Sequence, residues 1–186
     1  MINTSSEIFV NNISNLHEVS KDNSVVPKVY MTSSTKQCFS FDNIKSDFTV
    51  LNKISQQPRS ADALFVDDNG DYIAFIEFKN GALTSKDVFK IHEKMYSSNI
   101  ILSNIINKST DYIKNNVDFY IVYNGLKNSV GISPSPSRDI IAKSIHGLAG
   151  KKIVEFNVEK FEKFLYRKVY TYTEKEFENT FVKKYC

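Results

Sequence analysis

Two carboxylates and an ammonium group fall close together in Arg59–Gly81, RSADALFVDDNGDYIAFIEFKNG: Asp62, Glu77 and Lys79. Asn69-Gly70 in the middle of this stretch predicts a two-residue hairpin loop, because both central positions of such a turn need positive φ, which Asn and Gly reach at little cost. Asp68 then pairs with Asp71, and counting outward sets Val66 against Ile73, Leu64 against Phe75 and Asp62 against Glu77. Strand alternation puts Asp62, Glu77 and Lys79 on one face and Ala63, Phe65, Ala74, Ile76 and Phe78 on the other. Both faces are apolar near the turn, the pattern of a central strand pair covered on both sides.

Like charges directly opposite one another destabilise a sheet, where a favourable cross-strand pair contributes only about 0.2–1 kcal/mol, so Asp62 beside Glu77 needs compensation. A divalent cation supplies it. Mg²⁺ takes one or two carboxylates and keeps several waters, leaving room for a phosphate oxygen and an attacking water. Lys79 can neutralise the acids or reach the same phosphate. The competing reading makes Asp62 and Glu77 the solvated ends of a hairpin, with Lys79 as their surface ion-pair partner.

The pattern of Asp62, fourteen residues, then Glu77-Phe78-Lys79 resembles the signature of the PD-(D/E)XK nuclease superfamily, which includes restriction endonucleases, Holliday-junction resolvases and nucleases of phages and mobile elements. Counting the helix that follows, the resemblance covers about a quarter of the chain. One departure is Ala61 where a proline often precedes the Asp, with Pro58 a few residues earlier. The resemblance implies that Asp62, Glu77 and the Phe78 carbonyl hold Mg²⁺ or Mn²⁺, that Lys79 contacts or polarises the attacking water, and that the reaction is phosphodiester hydrolysis. It favours DNA over RNA. It also implies a restriction-endonuclease-like α/β core, a mixed central β-sheet flanked by helices, and a further acid from an N-terminal helix. The helix expected over Asn43–Gln56, with Ile44, Phe48, Leu51 and Ile54 or Ser55 at helical spacing, offers Asp47; Glu18 is the runner-up. In the first turn of a helix Asp47 is also accounted for by the macrodipole.

Asn80-Gly81 marks a turn, after which Thr84 or Ser85 can cap a long helix to about Asn107. Val88, Ile91, Met95, Leu102, Ile105 and Ile106 give it a buried face. Lys86, Lys90 and Lys94, four residues apart, form a basic ridge. The resemblance makes them contacts to the substrate backbone; the alternative is a solvated helix face. Val117–Tyr123, VDFYIVY, reads as a strand ended by Asn124-Gly125, and hairpin, helix, strand is a crossover, right-handed if the strands are parallel.

Elsewhere the signals are weaker. Residues 1–40 are rich in Ser, Asn and Thr, with a short helix over Glu7–Val19 and a strand over Lys28–Thr32 as the best readings. Ser133–Ser137 is a Pro-interrupted loop, followed by a helix near Arg138–Ala149, a strand over Ile153–Phe156 and a helix over Glu159–Lys168. Thr173 and Glu176 form a capping box for a last helix through Lys184.

The 186 residues, 41% of them hydrophobic, fit one domain with a substantial core, residues 1–40 being its least certain part. No run reaches eighteen apolar residues and MINTSSEIFVNN has no basic-then-apolar leader, so neither a membrane span nor a secretory signal is expected and the cytoplasm is the default location. Cys38 and Cys186 form no disulfide framework, and His17, His92 and His146 have no zinc-site spacing. Residues 1–100 carry ten basic and twelve acidic side chains, and 101–186 fourteen and nine, which concentrates positive charge in the C-terminal half without itself indicating nucleic-acid binding. Two functional classes remain: a Mg²⁺- or Mn²⁺-dependent nuclease, and a catalytically inactive nucleic-acid- or protein-interaction domain on the same fold. A homodimer would serve an enzyme cutting both strands of duplex DNA.

Overall fold

A computed structural model describes residues 2–128 and 154–186. Eight strands and several helices alternate along them. The strands are β1 (Ile13–Asn15), β2 (Lys21–Asp22), β3 (Val29–Tyr30), β4 (Gln37–Ser40), β5 (Ala63–Val66), β6 (Ile73–Lys79), β7 (Val117–Tyr123) and β8 (Val169–Thr173). Six of them form one sheet in the order β1-β4-β5-β6-β7-β8, and β2 and β3 make a separate small hairpin. The pairs from β1 to β6 are antiparallel and β6-β7 and β7-β8 are parallel. The protein is thus an α/β fold with a mixed central sheet.

The hairpin register is the one counted from the turn: Val66 faces Ile73 and Leu64 faces Phe75. The loop differs. Asp67 N–H donates to the Tyr72 carbonyl at 3.0 Å and Gly70 N–H to the Asp67 carbonyl at 2.9 Å, so the loop spans four residues, 68–71. Only Gly70, with φ of 74°, enters the left-handed region. The Asp67 carboxylate accepts from the Asp71 and Tyr72 amides at 2.8 and 2.9 Å and makes the two-residue turn unnecessary. A loop of four about the same centre preserves the register.

Each sheet face carries its own apolar cluster. Leu64, Ile73, Phe75, Phe119 and Ile121 pack with Phe41 and Ile44 of α3 (Phe41–Leu51), Ile91, Met95 and Leu102 of α4 (Ser85–Ile105) and Ile113 of α5 (Thr110–Asn116). Ala63, Phe65, Ala74, Ile76, Phe78 and Val122 pack on the reverse side with Leu16 of α2 (Leu16–Val19), Phe177 of α6 (Glu174–Phe177) and Phe181 in the following π-helical turn, Glu178–Val182. The face assignment by alternation holds for both strands of the hairpin.

Crossover helix α4 begins at the expected cap: Thr84 accepts from Asp87 N–H while the Asp87 carboxylate accepts from the Thr84 amide. The strand over Val117–Tyr123 and the Thr173/Glu176 capping box are also as read. Other elements are corrected. Glu7–Val19 is α1 (Glu7–Val10), edge strand β1 and α2 rather than one helix, because Ile13–Asn15 pairs with β4. Helix α3 starts at Phe41 and stops at Leu51, where Lys53 turns left-handed with φ of 54°. Val154–Phe156 is not a strand: Phe156 and Asn157 have φ of 65° and 53°, incompatible with extended pairing. The helix expected over Glu159–Lys168 is reduced to a 3₁₀ turn, Glu159–Phe161, with Lys163 at φ of 58°, and the sheet instead gains β8. The expected loop Ser133–Ser137, the helix near Arg138–Ala149 and Ile153 lie outside the described residues. Among the described residues no helix is long and apolar enough to cross a membrane.

Candidate functional site

The ladder between β5 and β6 ends at Ala63 and Ile76, one step short of Asp62 and Glu77. There a side chain replaces the backbone: Asp62 Oδ2 accepts from the Phe78 amide at 2.7 Å, while the Asp62 carbonyl accepts from Phe41 N–H, the start of α3, at 3.0 Å. The carboxylate is therefore fixed between β6 and α3. Within a paired strand, a residue's N–H and C=O point to the same edge, so the Phe78 carbonyl shares the edge that Asp62 occupies.

Glu77 is completely buried. Burial pushes its carboxyl up to about 7, neighbouring Asp62 adds to the shift, and Lys94 and Lys79 hold it back. Lys79 Nζ stands 2.7 Å from Glu77 Oε1. Lys94, reaching down from α4, places its ammonium 3.0 Å from Asp62 and 2.8 Å from Glu77. Burial alone would lower the Lys94 pKa, but the two carboxylates outweigh it and hold the ammonium well above its usual range. Near neutrality Glu77, not Lys94, titrates. Glu77 Oε1 is thus shared by both ammonium groups, at 2.7 Å from Lys79 and 2.8 Å from Lys94. One turn further along α4, Ser98 Oγ accepts from Ala61 N–H at 2.9 Å and ties the helix to the residue before Asp62.

Asp62, Phe78 and Lys79 open onto a cleft of about 470 Å³. Its opposite wall is the segment 18–24 with Met31, and its rim includes Ser40, Asp42 and Asn43 at the start of α3. Asn80 clamps the two walls together: its Nδ2 donates to Asp22 at 2.9 Å, and its Oδ1 accepts from Asn124 at 2.9 Å and Lys127 at 3.3 Å. The carboxylates of Glu18, Asp22, Asp42 and Asp62 line the cleft against the ammonium groups of Lys21 and Lys79. An anionic substrate entering this lining needs a cation with it.

The residues singled out from sequence separate into two sets. Asp62, Glu77, Phe78, Lys79 and Lys94 come together, and runner-up Glu18 lines the cleft. Asp47 does not line it; its carboxylate accepts from Asn12 Nδ2 at 2.7 Å. Five residues along a helix rotate about 140°, so Asp47 faces away from Asp42, which does line the cleft and which the later expected start of α3 left out. Lys90 is paired with Asp87 at 2.9 Å and Lys86 is exposed, so the ridge is not one surface. Each four-residue step drifts about 40° around the helix, enough to carry Lys94 under the sheet edge and leave Lys86 in solvent. Sequence spacing could not indicate that Lys94 bridges the acids, because that contact joins elements seventeen and thirty-two residues apart.

No protein-family model, curated protein or solved structure matches the chain. Among the described residues no three His, Cys, Asp or Glu side chains converge on a common point. Two do: a single cation, the Lys94 ammonium, touches both Asp62 and Glu77. Two hard carboxylates that already share one cation and a carbonyl on the same edge suit Mg²⁺ or Mn²⁺, which need few protein ligands when waters and phosphate complete the shell.

Proposed function

We propose that the protein is a Mg²⁺- or Mn²⁺-dependent nuclease with a restriction-endonuclease-like core, hydrolysing phosphodiester bonds in DNA. The observation that carries this reading is the convergence of buried Glu77 and half-buried Asp62 on one cation position, beside Lys79, at the rim of a cleft. Asp62, Glu77 and the Phe78 carbonyl are the groups that would hold the metal. When bound, the metal would acidify water and stabilise charge on the phosphate oxygens. Asp62 is oriented by the Phe78 amide, and Lys79, partly exposed at the cleft, positions the attacking water and the phosphate. The cytoplasm is the proposed location, and cleavage of both strands of a duplex would call for a homodimer.

Lys94 favours a second reading, a non-catalytic interaction domain, because its ammonium already satisfies the acid pair. Incubation of the purified protein with plasmid, linear duplex, single-stranded DNA and RNA, each with Mg²⁺, Mn²⁺ or chelator, separates the two. A nuclease loses activity with chelator and in Asp62→Ala, Glu77→Ala and Lys79→Ala. Cleavage that survives all of these changes refutes the mechanism, and inactivity on every substrate supports the interaction domain.

A further inference from the structure

We propose that Lys94 is a resident counter-ion that competes with divalent metal for the seat between Asp62 and Glu77, and so sets the affinity of that seat. This rests on the reading of the acid pair as a metal site. The Lys94 ammonium lies within 3.0 Å of both carboxylates. A cation bonded to the same oxygens at about 2.1 Å would stand almost in contact with it. Two positive charges at that separation in a poorly solvated pocket repel strongly, so occupancy of the seat is exclusive. Bound metal therefore requires the ammonium to leave.

A displaced ammonium would be drawn toward another acid. Lysine is a flexible four-carbon stem with a compact charge, and the Asp42 carboxylate, exposed at the cleft rim, is the next acid whose charge acts on Lys94. Asp42 is itself held by a 2.6 Å hydrogen bond from Ser60. Lys79 is not equivalent. It reaches only Glu77 Oε1, from the cleft side, and its side chain is 25% exposed against 14% for Lys94. Of the two, only Lys94 bridges both acids and so fills the seat between them.

Calorimetric titration of Mn²⁺ into the wild-type protein, Lys94→Gln and Lys94→Arg tests this. Removing the competing charge should tighten binding roughly tenfold or more in Lys94→Gln, while Lys94→Arg binds no tighter than wild type. Adding Asp62→Asn to Lys94→Gln should abolish the gain. Equal or weaker binding by Lys94→Gln overturns the role of Lys94 while leaving a metal site in place; absence of Mn²⁺ binding in wild type and variants alike removes the seat and the nuclease reading with it. Should Lys94→Gln fail to fold, the wild-type protein still decides: the Lys94 Cε resonance, assigned by its loss in Lys94→Arg, should shift on Mg²⁺ saturation. A resonance that stays in place while Mg²⁺ binds overturns the proposal.

Discussion

Glu77 is a carboxylate buried where its charge is disfavoured, held by two ammonium groups on one side and pressed by Asp62 on another. The consequence for pH has a definite sign. The folded-state value of about 7 lies above the ordinary 4.5, so between these values the native chain binds more protons than the unfolded chain and loses stability as pH rises. Stability from this group is fully present below about pH 4.5 and lost as pH passes 7. In chelator, the stability of wild-type protein relative to Glu77→Gln should therefore fall by roughly 3 kcal/mol between pH 4.5 and 8, taking 1.36 kcal/mol per pH unit of displacement. Urea unfolding at a series of pH values measures it, and parallel profiles would refute the burial argument. Asp62 and Lys79 were legible as partners from alternation and turn chemistry alone. The burial of Glu77 was not, because it depends on what α4 lays over the strand.

At the scale of elements, the site depends on where helices and turns meet the sheet. Thr84 and Asp87 fix the start of α4, and Thr84→Ala should destabilise the protein by about 1 kcal/mol, as loss of an N-cap does. The effect should stay in the first turn, so affinity for Mn²⁺ is unchanged; denaturation beside metal titration would show any wider effect. Gly125 follows β7 and packs against β8, where a Cβ would come within 2.9 Å of Thr173 Cγ2. That neighbour is β-branched and stiff, so Gly125→Ala should cost roughly 1–3 kcal/mol, read as a lowered urea midpoint with unchanged slope. A neutral substitution would mean that β8 can shift. The long elements, β6, α4 and β7, were readable because their periodicities are strong. Strand β8 was missed because VYTYT is a short edge strand whose pairing to β7 is decided by a segment that looked helical.

Across the whole molecule, the sheet separates two polar clusters. The acid pair lies at the C-terminal end of β6. Near the other end, Asp118 is almost fully buried, accepting from Arg167 at 2.9 and 3.0 Å and from the Tyr72 hydroxyl at 2.9 Å. Tyr72 and Glu77 are five residues apart on the chain, about 17 Å at roughly 3.3 Å per extended residue. Arg167→Ala leaves a buried charge without its partner and should cost about 3 kcal/mol, near the lower end for such pairs because Arg167 is 39% exposed. The separation predicts independence: the cost of Arg167→Ala combined with Asp62→Asn should equal the two single costs within about 0.5 kcal/mol. Coupling larger than that in a double-mutant cycle would show that the sheet transmits strain between its ends.

The local grammar of the chain determined the hairpin register, the two faces of its strands, the capped crossover helix and the nearness of Asp62, Glu77 and Lys79. Those features follow from backbone geometry and from residues close in sequence. Tertiary structure alone decided that Lys94 lies between the acids, that Asp42 rather than Asp47 faces the cleft, and that Asp22 and Asn80 join its walls. Each is set by packing between elements distant in sequence, where a small rotation of a helix exchanges one side chain for another.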